Sequence, residues 1–336
     1  MDRTRYRIAV IVPCHDAEHC VRRCVGALLD QDFTLPYRIL LVDDSSTDRT
    51  GAIIEEMAGT YPNVIETFSC EKGNLPDARN TALKEALQCD YVCFCDVDDI
   101  PHSDFLSSLY QLVTSTGSDC ACMGYREADE TTGRAKVARA LYSPTPLPGP
   151  VAAMKVLHDS DVRAYVWSKI YSSAVLIQHR IRFLPERFVY EDLVFSFQCF
   201  LASRRVAFSD RPIYDYLIRR GSLSHTPLRD GFVMHACAYA ACRAFAEKIL
   251  GKRRASALFH RYRRRMVFKM RQDIHTARKL FGGGVRRINR SASLMAENIS
   301  GNRFVIIGAP WQRYIEDLGF LGPDEITVSE EGFYDL

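Results

Sequence analysis

The sequence predicts an α/β chain, a Rossmann-like and mostly parallel central sheet flanked by helices, with a helical extension at its C-terminal end. Two observations predict it. Apolar runs of strand length alternate with stretches whose apolar residues recur every three or four positions, the order of a parallel sheet with helical crossovers. Behind that alternation the charge segregates: Gly251 to Arg290 holds fourteen Lys or Arg against one acid, and Ser291 to Leu336 two basic against eight acidic residues. With 336 residues, 47% hydrophobic and 25% charged, and a formal net charge of +3, the chain lies outside the ranges of a disordered segment, a coiled coil or a disulfide miniprotein.

Arg7 to Val12 reads as a buried strand, and Ala17, Cys20, Val21, Cys24, Val25, Leu28 and Leu29 line one face of a following helix. The alternation continues through strand Arg38 to Val42, a helix from about Asp48 to Ala58, strand Val64 to Phe68, helix Leu75 to Leu87, strand Tyr91 to Asp96, helix Ser103 to Ser115 and strand Asp119 to Met123. No apolar run approaches the roughly 18 to 20 residues of a membrane span. Met1 to Arg7 leads straight into a strand without the apolar core of a secretory signal, so a cytoplasmic protein is expected. The twelve cysteines form no CxxC pair and sit among apolar neighbours, as reduced interior residues do.

Ligands of such sheets bind outside the carboxyl ends of the strands. There the chain carries Pro13-Cys14-His15-Asp16, Asp43-Asp44-Ser45-Ser46-Thr47-Asp48 and Asp96-Val97-Asp98-Asp99. Helix capping accounts for Asp48 and can account for Asp16. It does not account for three carboxylates within four positions after the apolar run Tyr91 to Cys95. No GxGxxG follows the first strand and no GxxxxGK[ST] occurs, which excludes a dinucleotide fold and a P-loop. Carboxylates repel phosphates unless a hard divalent cation stands between them, so the pattern implies a metal-dependent nucleotide site.

In order and spacing, Ile8 to Asp16, Leu41 to Asp48, Gly73-Asn74-Leu75-Pro76-Asp77-Ala78-Arg79-Asn80 and Phe94 to Asp99 resemble the family-2 glycosyltransferases of GT-A fold, of the non-processive bacterial surface-polysaccharide type. Val166-Trp167-Ser168-Lys169-Ile170-Tyr171 is similar to the family's W-x-K-hydrophobic-Y segment, and Val189-Tyr190-Glu191-Asp192-Leu193 to its ED motif, with Phe188-Val189-Tyr190 reading as extended ahead of a helix. The first motif departs from the family's usual Tyr-Asn with His15-Asp16, and the Q-x-x-R-W motif of processive synthases does not occur. The resemblance runs from about Ile8 to Ser224. It implies a GT-A catalytic domain over 1–226, nucleotide-binding in 1–125 and acceptor-binding and catalytic in 126–226. Residues 227–336 would form a basic helical extension with an acidic tail.

The resemblance also implies roles. Pro13, His15, Asp16, Asp43 and Asp44 would line the nucleobase and ribose pocket, and Asp44 suits a uracil because a carboxylate accepts from the ring N3–H. Arg79 would contact the donor, or else be a surface arginine paired with a neighbouring acid. Asp98 would ligate Mg²⁺ or Mn²⁺, with Asp96 on the metal or the ribose, the two aligned by alternation at a strand end. Asp99 would support the turn or contact the donor sugar. Asp192 would be the general base, its pKa lowered by the helix N-terminus, with Glu191 orienting it or the acceptor. Trp167 and Lys169 would shape the sugar or acceptor pocket or belong to the core, and Arg219 and Ser222 would sit in a segment closing over the diphosphate.

The expected activity is inverting transfer of a sugar from a nucleotide-sugar donor, a UDP-sugar, to a glycan or lipid-linked acceptor in cell-surface polysaccharide synthesis. A noncatalytic sugar-nucleotide-binding module and a nucleotidyltransferase are the alternatives. Leu258, Tyr262, Met266, Met270, Ile274, Ala277 and Phe281 outline a basic amphipathic helix. It packs on the catalytic domain, lies on anionic lipid at the inner face of the membrane through 251–290, or grips nucleic acid, the last being the least expected. Gly282 to Gly284 would end it, and Phe304 to Ile307 with Trp311 would form a small extra element.

Overall fold

The structure, a computed structural model, describes residues 6–71, 73–138, 140–158, 162–184, 190–218, 231–260, 304–306 and 326–328. The chain divides into two compact units, Met1–Leu223 and Ser224–Leu336.

The first unit is built on a ten-stranded sheet whose main path runs β3-β2-β1-β4-β9-β6-β10-β5. Its first part has the expected parallel form. β1 (Ile8–Cys14) is buried along its whole length because β2 (Tyr37–Asp44) and β4 (Tyr91–Phe94) flank it in parallel, and β3 (Ile65–Cys70) extends the sheet beyond β2. A strand covered on both faces reads as a continuous apolar run, which is why Ile8 to Val12 does not alternate. Helices α1 (Val21–Leu29), α2 (Thr50–Thr60) and α3 (Leu75–Ala86) are the crossovers.

The sheet then changes character. β9 (Lys169–Ser172) inserts antiparallel between β4 and β6 (Cys120–Asp129), so β4 and β6 are not neighbours. β5 (Ile100–Pro101), the β6–β7 hairpin with β7 (Ala135–Val137), and β8 (Leu147–Pro148) add further antiparallel pairs. The long β10 (Arg205–Ile218) runs parallel to β6 with its register broken on either side of Pro212. Proline cannot donate to a ladder, and an irregularity there accommodates it. Gly124 lies against this bend: a Cβ there would stand 2.3 Å from the Asp210 carbonyl oxygen. Helix α4 (Phe105–Ser115) packs on β6 and β10, while α5 (Gly149–His158) packs on α7 (Glu191–Ala202); α6 (Ser173–His179) follows β9.

Two local expectations are corrected. Opposite Ile11 the fourth strand ends at Phe94, and the Asp99 amide closes a turn onto the Asp96 carbonyl at 3.0 Å. Asp96 and Asp98 therefore stand in a turn, and strand alternation does not align them. Tyr190, expected to be extended, takes φ 86° and ψ 19° immediately before α7.

In the second unit α8 (Gly231–Leu250) is followed, after Gly251 at φ 80°, by a helix over 252–260, and β11 (Phe304–Ile306) pairs in parallel with β12 (Ile326–Val328). Most of the basic amphipathic stretch, from residue 261 onward, lies outside the described residues, as does Trp311.

Candidate active site

The carboxyl ends of β1, β2 and β4 lie side by side, because Cys14 registers with Asp43 and the Cys95 amide donates to the Ile11 carbonyl at 3.1 Å. Pro13 is tolerated in the middle of the sheet because β4 stops opposite Ile11, leaving one neighbour, β2, at that level. His15 Nδ1 lies 2.7 Å from the Asp44 carbonyl oxygen, which can only accept, so that nitrogen carries the proton. The ring itself stays 57% exposed. Asp16, at φ 45°, accepts from the Thr47 amide at 2.7 Å, and its own amide donates to Ser46 Oγ at 3.1 Å. The Thr47 amide, with help from the Thr47 hydroxyl and His15, holds the Asp16 carboxyl below the usual carboxylate range.

Asp43 accepts from the Ser46 amide at 3.2 Å, and Gly51 makes room for it, since a Cβ there would meet Asp43 Oδ2 at 2.9 Å. Asp48 takes the Thr50 amide at 2.8 Å from one residue before the N-cap of α2, which is Arg49 and not Asp48. Asp44 is different. It is buried, and its Oδ1 has no hydrogen-bond partner among the described residues. A buried acceptor left empty is costly, so this oxygen is suited to a donor brought by a ligand.

Around Arg79 a second cluster forms. The guanidinium is 1% exposed; Nη2 donates to Asp96 Oδ1 at 3.0 Å and Nη1 to Asp192 Oδ1 at 2.5 Å, with Glu191 Oε1 at 3.5 Å. The planar fork of arginine suits such bridging. The second Asp192 oxygen accepts from the Val166 amide at 3.3 Å, which ties the W-x-K segment to the ED motif. Arg79 is thus not a surface arginine: its two terminal nitrogens are spent on carboxylates, while its buried Nε has no hydrogen-bond partner among the described residues.

Burial sets the proton affinities here. Desolvation, reinforced by the Asp192 charge and opposed by Arg79, pushes the Glu191 carboxyl up to about 8. Desolvation also raises Asp192, against the pull of Arg79. The expected lowering by the helix N-terminus does not prevail, because both carboxyls are largely withdrawn from water. Arg79 stays charged, since the pull of Asp192, Asp96 and Glu191 outweighs its burial.

Asp99 is buried; its Oδ2 accepts from the Tyr214 hydroxyl and its Oδ1 from the Leu217 amide, both at 2.9 Å. Of its two expected roles, supporting the turn is the one these hydrogen bonds serve. Tyr214 also accepts from the Asp96 amide at 3.1 Å, so one β10 residue holds both ends of the turn. Sequence reasoning missed Tyr214, which no motif flags. Trp167 is 1% exposed, near-parallel to Tyr165, Tyr214 and Tyr216 at 4.7, 4.8 and 5.5 Å, and belongs to the core. Lys169 is likewise buried, donating to the Tyr165 carbonyl. Arg219 and Ser222 lie outside the described residues.

Among the described residues, positive φ at non-glycine positions occurs at Asp16, Ser45, Ser168, Arg180 and Tyr190, and four of these five fall in the motif segments. Such conformations cost free energy and persist where surrounding contacts fix them. Among the described residues no three His, Cys, Asp or Glu side chains gather as a metal site. Asp96 nonetheless keeps one carboxylate oxygen without a partner among the described residues and is 26% exposed. A sparse hard-oxygen set of this kind fits Mg²⁺ or Mn²⁺ when phosphate and water complete the shell.

Residues 9–210 match the family model of glycosyl transferase family 2, more than half of the chain. Glycosyltransferase GlyA of Streptococcus pneumoniae is 27% identical over 226 residues, 65% of this chain and 31% of that protein. The uncharacterized glycosyltransferase EpsJ of Bacillus subtilis is 27% identical over 231 residues, 68% of this chain and 66% of that one. The chain therefore spans between about a third and two thirds of the length of these curated relatives. In fold it is similar to the Staphylococcus aureus TarS structure in complex with UDP-GlcNAc, with a TM-score of 0.58 and 22% identity over 73% of this chain and 72% of that one.

Proposed function

Because the chain belongs to glycosyl transferase family 2, we propose that it moves a sugar from a UDP-sugar donor to a hydroxyl of a glycan or lipid-linked acceptor, with inversion at the anomeric carbon, in cell-surface polysaccharide synthesis. One observation carries the reading: Arg79 joins Asp96, at the donor end of β4, to Asp192, at the start of α7, so two carboxylates far apart in the chain share one site.

Asp44 offers its empty buried oxygen to the uracil N3–H, while His15, Asp16 and Asp43 line the base and ribose side. Asp192 takes the proton of the attacking hydroxyl. Its raised proton affinity suits that task, since a base works best with a pKa near the working pH. Attack on the face opposite the leaving diphosphate gives inversion, and Glu191 supports the base. A divalent cation held by Asp96 and Asp98 would supply charge stabilisation for the departing diphosphate.

No described helix is long and apolar enough to cross a membrane, and the proposed setting is the cytoplasm, peripheral on the inner face of the cell membrane, with 251–290 toward anionic lipid. The experiment is to incubate the protein with a panel of nucleotide sugars, with and without Mn²⁺, and measure the nucleotide released. UDP release that depends on the sugar and on the metal is the expected result. Pyrophosphate released in a parallel incubation with a nucleoside triphosphate and a sugar 1-phosphate would instead identify a nucleotidyltransferase, and binding of the nucleotide sugars without any release a noncatalytic module.

A further inference from the structure

We propose that Arg79 is a positioning residue that fixes the base side of the site against the donor side, and not a ligand of the nucleotide; this rests on the glycosyltransferase reading above. The guanidinium is sealed from solvent at 1% exposure, and its two terminal nitrogens point to opposite sides of the site. One holds Asp96, which follows β4; the other holds Asp192 and approaches Glu191, which open α7. To reach a diphosphate it would have to abandon its hydrogen bonds to Asp96 and Asp192 and leave the largely buried Asp192 with the Val166 amide as its remaining donor, a costly exchange.

The neighbouring residues build the same device. Ala78 is fully buried, which lets α3 approach closely. Asn80 clamps the backbone of Phe183, its Nδ2 donating to the Phe183 carbonyl at 2.9 Å and its Oδ1 accepting from the Phe183 amide at 3.0 Å. That clamp sets the Phe183 ring 5.2 Å from the guanidinium carbon, and the ring in turn stacks on Phe195 of α7 at 4.1 Å. Consecutive residues of one helix thus place the cation, its aromatic support and the helix that bears the base. A lysine would keep the charge but, as a point charge, could not bridge both sides.

The test uses the full chain carrying Arg79→Lys, and separately Phe183→Leu, which removes the ring and leaves every charge. UDP affinity with Mn²⁺ is measured by calorimetry, kcat and KM by UDP release from the donor that the wild type accepts, and backbone ordering by hydrogen exchange over residues 190–195. For Arg79→Lys the expected result is UDP affinity within about threefold, KM unchanged and kcat lowered about 100-fold, as for a misplaced reacting group. Faster exchange at 190–195 should accompany it. Phe183→Leu should lower kcat by a smaller factor, again without touching UDP affinity. A loss of UDP affinity of tenfold or more in Arg79→Lys would make it a nucleotide ligand and overturn the inference. So would unchanged kcat, or unchanged exchange at 190–195. If Arg79→Lys does not fold, an unchanged kcat in Phe183→Leu overturns it. Should the wild type release no UDP from any sugar nucleotide, the glycosyltransferase reading falls, while the affinity and exchange measurements still decide the role of Arg79.

Discussion

Two carboxylate clusters lie at the same end of the sheet and behave in opposite ways. At the ends of β1 and β2, Asp16 stands in solvent, takes its hydrogen bonds from the Thr47 amide and hydroxyl, and gives up its proton more readily than an ordinary carboxyl. Around Arg79, Glu191 and Asp192 are withdrawn from water, and both hold a proton more tightly than ordinary carboxyls. The side chains are of one type; amide donors and solvent at one end, and desolvation at the other, set the difference. The exposed cluster is set to stay charged and to shape a loop, and the buried one to hold its protons to higher pH.

The largest test of this contrast is Asp192→Asn, expected to slow transfer by about 10²- to 10⁴-fold, the usual worth of a general base. UDP binding should change by no more than a few-fold, and retained turnover would move the proton acceptor elsewhere. Next, Asp98→Ala should remove the Mn²⁺-dependent part of UDP affinity while leaving the metal-free part, as read by calorimetry with and without the ion. Asp44→Ala should weaken UDP binding by about 10- to 100-fold, if its hydrogen bond to uracil has the ~1.5–3 kcal/mol typical of charged acceptors. Competition by other nucleotides should then improve relative to UDP.

The smallest effects are in stability, and their signs oppose. The folded state raises the Glu191 pKa to about 8, so stability from this group is greatest below the ordinary carboxylate range and is lost as the pH rises toward 8. Glu191→Gln, which cannot ionise, should therefore gain on the wild type in thermal midpoint between pH 5 and pH 9. Asp16 runs the other way: its lowered pKa adds stability that is present above the ordinary carboxylate range and fades as the pH falls. The deficit of Asp16→Asn should shrink on acidification. Equal pH trends in the two variants would break the comparison.

Much of the parallel half was legible in the residues. Ile8 to Val12 and Ile39 to Val42 are apolar because β1 and β2 are covered on both faces, and the acidic motifs mark where those strands end. What could not be read was pairing between distant segments. Nothing near Lys169 to Ser172 announces that β9 slips between β4 and β6, and nothing in the residues of β10 announces that Tyr214 holds the turn of Asp96 to Asp99. For Arg79 the motif marked the residue but not the carboxylates it meets, since those depend on where α7 packs.

The sequence by itself determined the order of strands and crossovers in the parallel half, the family and the identities of the acidic side chains, because periodicity and short motifs are local properties of a chain. Only the tertiary structure decided which of those acids are wet and which are buried, and so that Glu191 and Asp192 hold a proton more tightly than Asp16. Desolvation and charge pairing depend on the three-dimensional surroundings of a group, here on one guanidinium shared between Asp96, Glu191 and Asp192.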